Sequence, residues 1–503
     1  MEYKFNDLFV LDMANNHQGH VEHGLKIVKE VSAVSNKAGV KAAIKFQMRQ
    51  LQSFIHPAYQ GDQSNSMIQR FESTAIDASS FRAMKAAVEE YDLITMCTPF
   101  DEKSVEVICE EEFEIIKIAS CSADDWPLIE CVAAAGRPVI VSTGGLSLEK
   151  TDQVVSFLDH KGLDFALMHC VSVYPTPANL YNLRLIEEYR TRYPGITIGW
   201  STHEDPNELH AISIAYTLGA RMFERHVGLE TEESKLNAYS SNPKQLEDWF
   251  EAYRHTLEAL GTGDRVLDPS EGEALEKLKR GAYLRRNVKK GQTITQDDLF
   301  YAIPLQNDQV TSGEVREGTV AEQDLEVRKP LSKSDVLCPP TCDTVYIKRG
   351  IQVAKAMINK SNVKLPRTFE VEFSHHYGIS QFSKTGALII DVINRDYCKK
   401  IIVLIPGQTH PNHFHKRKEE TFVILYGTLS LTLDREQFIL EEGEMITIHP
   451  GVWHSFSSDT GCIFEEISTT HYNDDSHYSD PVIRNKSREE RKTKVNNWGR
   501  FSF

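Results

Sequence analysis

A chain of 503 residues exceeds one ordinary hydrophobic core, and about two to four domains are expected of it. Hydrophobic residues make up 41% and charged residues 25%, the composition of a soluble globular protein, and no apolar run approaches the roughly 18 residues that span a bilayer. A net charge of −16 argues against nucleic acid as a partner, so any anionic ligand must meet locally placed Lys or Arg. The N-terminal run MEYKFNDLFVLDMANN lacks the basic start of a signal peptide. Nine scattered cysteines, four of them in apolar runs (Cys97, Cys170, Cys398, Cys462), read as free thiols of a reducing compartment, so the cytoplasm is expected. Cys338 and Cys342 lie in a Pro-rich CPPTC segment with no second ligand pair for a metal.

Taken in chain order, β-rich runs at 9–14, 42–47, 93–99, 114–120, 138–143, 165–170, 196–201 and 221–227 alternate with amphipathic stretches such as 22–38, 80–91, 125–135 and 205–218. Eight strand–helix units over about 250 residues predict a (β/α)8 TIM barrel over residues 1–262. Reactive residue types collect where these strands end: Lys45 and Gln47, Thr98, Lys117 and Ser120, Ser142 and Thr143, Ser172 and Tyr174, His203, Arg225 and His226. In a barrel those ends share one mouth. Two lysines with several hydroxyls describe a pocket for a small phosphorylated anion, and two histidines from adjacent strands describe a divalent metal with open positions. Any one of these residues alone reads more simply as a rim charge, a helix cap or packing; their co-location makes the case.

After residue 262 the pattern changes. Residues 275–337 form a small β-rich module with a KKGQ turn and a strand pattern near 325–331. A linker with a helix over about 345–360 occupies 338–365. Short strands at regular spacing then predict an antiparallel β-barrel or jelly roll over 366–475, followed by a polar, loosely ordered tail at 476–503. Within the third domain His413 and His415 are two apart on a strand and therefore share a face, with Glu420 and His454 on neighbouring strands. Three histidines and a carboxylate accept Mn, Fe, Zn, Ni or Co.

The first domain resembles the sialic acid synthase family along its whole length, in the runs NHQG (16–19), IKFQ (44–47), TPFD (98–101), KIAS (117–120), STGG (142–145), HC with VYPTP (169–177), IGWSTH (198–203) and ERHV (224–227). The small module resembles the antifreeze-like (SAF) domain of those enzymes. The third resembles cupins in both motifs, and over about 345–427 looks like the D-lyxose isomerase type of sugar isomerase. The resemblance implies condensation of phosphoenolpyruvate with an aldose to a 3-deoxy-2-ulosonic acid and phosphate. By position, Lys45, Thr98, Lys117, Ser120, Ser142 and Ser172 would hold phosphoenolpyruvate, with Asp12, Gln47 and Tyr174 completing the catalytic set and Gln47 and Tyr174 facing the sugar. His203 and His226 would bind Mn2+ or Mg2+, and His413, His415, Glu420 and His454 a second divalent ion. It further implies a homodimer in which the small module caps a neighbouring barrel.

The chain departs from the family at polar contacts. Asp12 stands for a Glu, Ser122 for a sugar-binding Glu, Ser172 for an Asn and Thr202 for an Asp. Ile303 takes the place of the small module's Arg, and Asn237 and Tyr239 are the nearest substitutes for a missing acidic residue. A different acceptor from plain N-acetylmannosamine is therefore expected. Two other readings remain: a cupin sugar isomerase with a degenerate or accessory barrel, and a non-catalytic sugar sensor.

Overall fold

The computed structural model describes residues 3–232, 235–263, 265–367 and 369–499, in two compact units, Met1–Val266 and Leu267–Phe503. In the first unit eight parallel strands close into a barrel: β1 (Leu8–Asp12), β2 (Lys41–Met48), β3 (Ile94–Pro99), β4 (Ile115–Ile118), β5 (Val139–Ser142), β6 (Phe165–Cys170), β7 (Thr197–Thr202) and β8 (Met222–His226), with β1 paired to both β2 and β8. The TIM barrel read from the sequence is thus present, with strand bounds shifted by one or two residues.

Alternation along each strand builds two cores. Leu8, Val10, Ala43, Met96, Ile115, Ile140, Ala166, Met168 and Met222 point inward and fill the lower barrel. Their neighbours Phe9, Leu11, Ile44, Phe46, Ile116 and Phe223 point outward and pack under the helices. The helix Val21–Ala38 contributes Ile27, Val28 and Val31 to that outer core and stops at Gly39, whose φ of 66° is the left-handed ending that glycine adopts without strain. The last helix, Pro243–Leu260, starts with a capping box between Asn242 and Gln245 and with proline in its first turn. Between β2 and the helix Ala78–Glu90 the chain forms three short helices, Leu51–Phe54, Pro57–Tyr59 and Ser66–Ser73, which the sequence pattern did not reveal. They follow the C-terminal end of β2 and so belong to the mouth of the barrel.

In the second unit, residues 275–337 pair Gly281–Leu284 with Leu299–Ala302 and Val320–Ala321 with Val336–Leu337, over a small core that includes Leu284, Val288, Ile294 and Leu299. The strand expected near 325–331 is only a pair of isolated bridges, at Leu325 and Pro330. Arg328 has a φ of 64°, and Pro330 has no N–H to donate, so a continuous ladder cannot form there.

The rest of the unit carries a seven-stranded and a five-stranded antiparallel sheet, the double-sheet architecture of a cupin. The helix Asp343–Lys360 lays Ile347, Ile351, Ala354 and Ile358 against Val371, Phe373 and Ile390. The expectation of a loose tail from residue 476 is corrected. His477–Tyr478 pairs with His413 and Phe414, and Lys492–Val495 pairs with Glu370–Ser374 as an outer strand of the larger sheet. Burial of Val495, with Lys492 and Arg488 paired to Glu372, holds a segment whose polar composition conceals its strand. Residues 500–503 lie outside the described residues. Among the described residues no helix is long and apolar enough to cross a membrane.

Candidate functional site

Inward-facing positions above the barrel's apolar floor carry the reactive side chains. Asp12, Lys45, Gln47, Lys117, Ser120, Ser142, Ser172, Tyr174, His203 and His226 all line one cavity of about 700 Å³. The lysines, the pair of histidines and the serines that the sequence reading grouped are therefore brought together. Thr98 is inward but lies outside the lining, fully buried, with its hydroxyl lacking a hydrogen-bond partner.

Glu224, two residues before His226 and hence on the same face of β8, organises the floor. Its two carboxylate oxygens receive Lys45 at 2.5 Å and Lys117 at 3.3 Å. Lys45 also meets Asp12 at 3.0 Å, and Lys117 donates to Ser142 Oγ at 2.5 Å. Burial alone would depress Lys45, but the two carboxylates outweigh it and hold the ammonium charged. For Lys117 burial wins, only partly offset by Glu224, and its pKa falls. Burial works against ionising Glu224, yet Lys117 and Lys45 hold it well below the usual carboxylate range. Two lysines balance two carboxylates, and an arriving anion could recruit the lysines from Glu224. Sequence reasoning passed over Glu224 although it lies in the ERHV run; strand parity with His226 was the available signal.

Parity also corrects Arg225 and Thr143. Arg225 points away from the mouth, fully buried against the face of Trp249, with Glu204 at 2.9 Å and the carbonyls of Pro206 and Glu208 as acceptors. Thr143 likewise faces outward, its hydroxyl accepting from Tyr189 at 3.0 Å. Removing one member of a buried ion pair leaves an uncompensated charge, so Glu204→Leu is expected to cost about 3–5 kcal/mol of stability. Denaturant unfolding checks this, and a Glu204→Leu/Arg225→Met double variant should recover part of the loss.

His203 and His226 have ring centroids 5.2 Å apart. The Nδ1 of His203 bonds the Val171 carbonyl at 2.9 Å, which fixes that nitrogen as donor and leaves Nε2 a bare lone pair. Burial and then His226 lower its pKa to about 4, and burial lowers that of His226, whose Nδ1 lacks a hydrogen-bond partner. Two neutral imidazoles beside Asp12 and Glu224 fit a divalent cation. Tyr174 and Tyr239 pack over the pair, 4.1 Å from His203 and 5.2 Å from His226 by ring centroids, and Asn237 joins the lining. Ser122 and Thr202 lie outside it. Gly144 shapes the serine side, since a Cβ there would sit 2.7 Å from both Ser120 Oγ and Ser172 Oγ. Ile303 is exposed in the second unit.

In the cupin, His413, His415 and His454 place one ring nitrogen each within 4.8 Å of the others. Each turns Nδ1 to a backbone carbonyl (Pro411 at 3.0 Å, Asp475 at 2.5 Å, Val452 at 3.1 Å), leaving three Nε2 atoms to converge. That orientation is the outer support that metal-binding histidines receive. The fourth predicted ligand, Glu420, reaches His415 at 3.4 Å and His454 at 3.3 Å but is also ion-paired to Lys418. The buried His454 Nε2 and Glu420 Oε2 have no hydrogen-bond partner, so the donor set fits a metal ion. A cavity of about 40 Å³ adjoins it, bordered by Lys400, Lys418, Glu466, Tyr478 and Lys492.

Comparison with known proteins agrees with both halves. Residues 31–265 match the NeuB family, and residues 400–464 match the cupin domain. An uncharacterized protein of Methanocaldococcus jannaschii is 30% identical over 291 residues, covering 58% of this chain and 82% of its own. Human N-acetylneuraminate-9-phosphate synthase is 26% identical over 298 residues, covering 58% and 81%. A crystal structure from Chromobacterium violaceum, described as a candidate spore coat polysaccharide biosynthesis protein E, is 38% identical and superposes with a TM-score of 0.61 over 66% of this chain and all of its own. The barrel with its charged mouth is that of an enzyme, a condensing transferase of the sialic acid synthase type. The chain belongs to the NeuB family and carries a cupin domain after it.

Proposed function

We propose that the barrel joins phosphoenolpyruvate to the aldehyde of an open-chain aldose, giving a 3-deoxy-2-ulosonic acid of the nonulosonic type and phosphate. The observation that carries this reading is the pair of buried lysines sharing Glu224 within reach of two neutral histidines. Lys45 and Lys117, with Ser120, Ser142 and Ser172, would take the carboxylate and phosphate groups of phosphoenolpyruvate. Charge-assisted bonds in a water-poor site are the strong ones. Asp12 accepts from Gln47 at 3.2 Å and pairs with Lys45, so it would orient both. A divalent ion on His203 and His226 would supply Lewis acidity to the aldehyde oxygen. C3 of phosphoenolpyruvate forms the new bond to the aldehyde carbon, the alkoxide takes a proton, water adds at C2, and the C2–O bond to phosphate then breaks to leave the ketone. Gln47 and Tyr174 would face the sugar.

The cytoplasm is the proposed location, and a homodimer the proposed assembly on the resemblance of the small module. The altered polar residues support an acceptor other than N-acetylmannosamine. Phosphate release from phosphoenolpyruvate with a panel of aldoses tests the reading; failure with every aldose and metal would sink it.

One observation favours a second activity. Lys492 borders the chamber beside the cupin's histidine cluster, and burial lowers its pKa to about 8, within the range of a group that exchanges protons. Aldose–ketose interconversion without phosphoenolpyruvate, lost in His413→Ala, would identify a sugar isomerase there; a purely structural cupin would show none.

A further inference from the structure

Above the balanced floor of the barrel cavity stands an unbalanced rim. Among the described residues Asp12 and Glu224 are the carboxylates of its lining; Asp12 is engaged by Lys45, and Glu224 by both Lys45 and Lys117. Arg49 and Arg70 line the same cavity, and among the described residues neither forms an ion pair with a carboxylate. Arg49 is clamped between Phe100 and Phe71, its guanidinium carbon 3.6 and 4.3 Å from the ring centroids. It gives one hydrogen bond, at 3.1 Å, to Gln47 Oε1, while its buried Nε has no partner. Arg70 comes from the helix Ser66–Ser73, and its charge acts on both Arg49 and His226. Two guanidinium groups turned toward one space repel each other, and with neither paired to a carboxylate among the described residues an anion between them would relieve the repulsion.

Their height above the floor says which substrate would bring it. Lys45, Gln47 and Arg49 lie at every second position of one chain segment, where each step of two residues rises about 6.6 Å. If Lys45 holds phosphoenolpyruvate and Gln47 lies beside the aldehyde, Arg49 stands at the far end of the sugar chain. Asn15 and Asn237 line both this cavity and the adjoining space that Arg70 borders, and so bring neutral polar groups to that end.

We propose that the acceptor aldose carries an anionic group, a phosphate ester or a carboxylate, at the end remote from its aldehyde, and that Arg49 and Arg70 are the specificity residues that grip it. The proposal rests on the condensation reading above. Planar guanidinium groups suit both anions, since each offers paired oxygens to paired N–H donors.

The test compares aldohexoses of several configurations, each as the neutral sugar, the 6-phosphate and the 6-carboxylate, with phosphate release from phosphoenolpyruvate by the full chain as readout. An anionic member should exceed its neutral counterpart in kcat/KM by about 10- to 100-fold, the size of one or two charged hydrogen bonds. In Arg70→Gln and in Arg49→Met that ratio should fall toward one, and Arg70→Lys should restore part of it. A neutral sugar preferred by the parent protein, or substitutions that raise KM for phosphoenolpyruvate and leave the ratio intact, would overturn the assignment. Calorimetric titration of the same sugars into parent and Arg70→Gln, without phosphoenolpyruvate, decides the matter independently of turnover. Tighter binding of the anionic sugars that Arg70→Gln abolishes supports the rim site even if no condensation occurs; equal binding of charged and neutral sugars rejects it.

Discussion

Lys45→Ala is expected to lower phosphoenolpyruvate-dependent phosphate release by about 10²- to 10³-fold, the loss typical when one preorganised donor to a reacting anion is removed. Lys45 is wholly buried, and its ammonium is shared by Asp12 and Glu224. Without it two carboxylates face the cavity with Lys117 as their remaining lysine, and an incoming phosphate and carboxylate would meet negative charge. The defect should appear in binding and turnover alike. Because the substitution also leaves two buried carboxylates short of a partner, the melting temperature should fall, and assays run well below it separate lost chemistry from lost fold. Turnover within tenfold of the parent would reduce Lys45 to a packing residue and remove the reading that depends on it.

The second large effect concerns the cupin. A ligand that binds only the folded state stabilises it by RT ln(1 + [L]/Kd), about 4 kcal/mol at a thousandfold excess over Kd. Chelation of the full chain should therefore lower the melting transition of the unit Leu267–Phe503, and His413→Ala should release the metal bound at its cluster. His413 is the residue to change because its ring is near both partners, 5.1 Å from His415 and 4.1 Å from His454 by centroids. Elemental analysis reads the metal, and calorimetry reads the transition. If the two units act independently, His413→Ala retains phosphate release. A chelated protein that melts as before would mean that this cluster is a histidine core without an ion.

The barrel was legible because alternation of apolar residues and the spacing of eight strands are local properties of the chain, and the strand ends must converge once the barrel closes. The lysines, serines and histidines at those ends followed. What a residue's side chain faces is decided by a single step in register: residue type alone puts Arg225 at the mouth, whereas Glu224 next to it occupies that face. Arg49 and Arg70 were missed for another reason. Arg70 sits on a short helix that lacks a sustained periodicity, and Arg49 lies just past the end of β2, where continuing the alternation of Lys45 and Gln47 was the available signal. In the cupin the histidine cluster was readable from the two-residue spacing of His413 and His415, but the pairing of Glu420 with Lys418 depends on the bend between two strands. The last strand escaped notice because Lys492, Thr493 and Lys494 look like surface composition until Val495 is seen to enter the core.

That last strand gives the chain's final stretch an unexpected duty. Ending the polypeptide at residue 475, where composition would place a border, would strip the cover from Glu370–Ser374 and bare a row of unpaired backbone groups. Exposed ladders of that kind recruit one another. The same cut would take away Lys492 and Tyr478, so the small chamber beside the histidines would open to bulk water. A shortened protein would thus be prone to stick to itself while losing the shelter of its histidine-lined chamber, two failures with one origin.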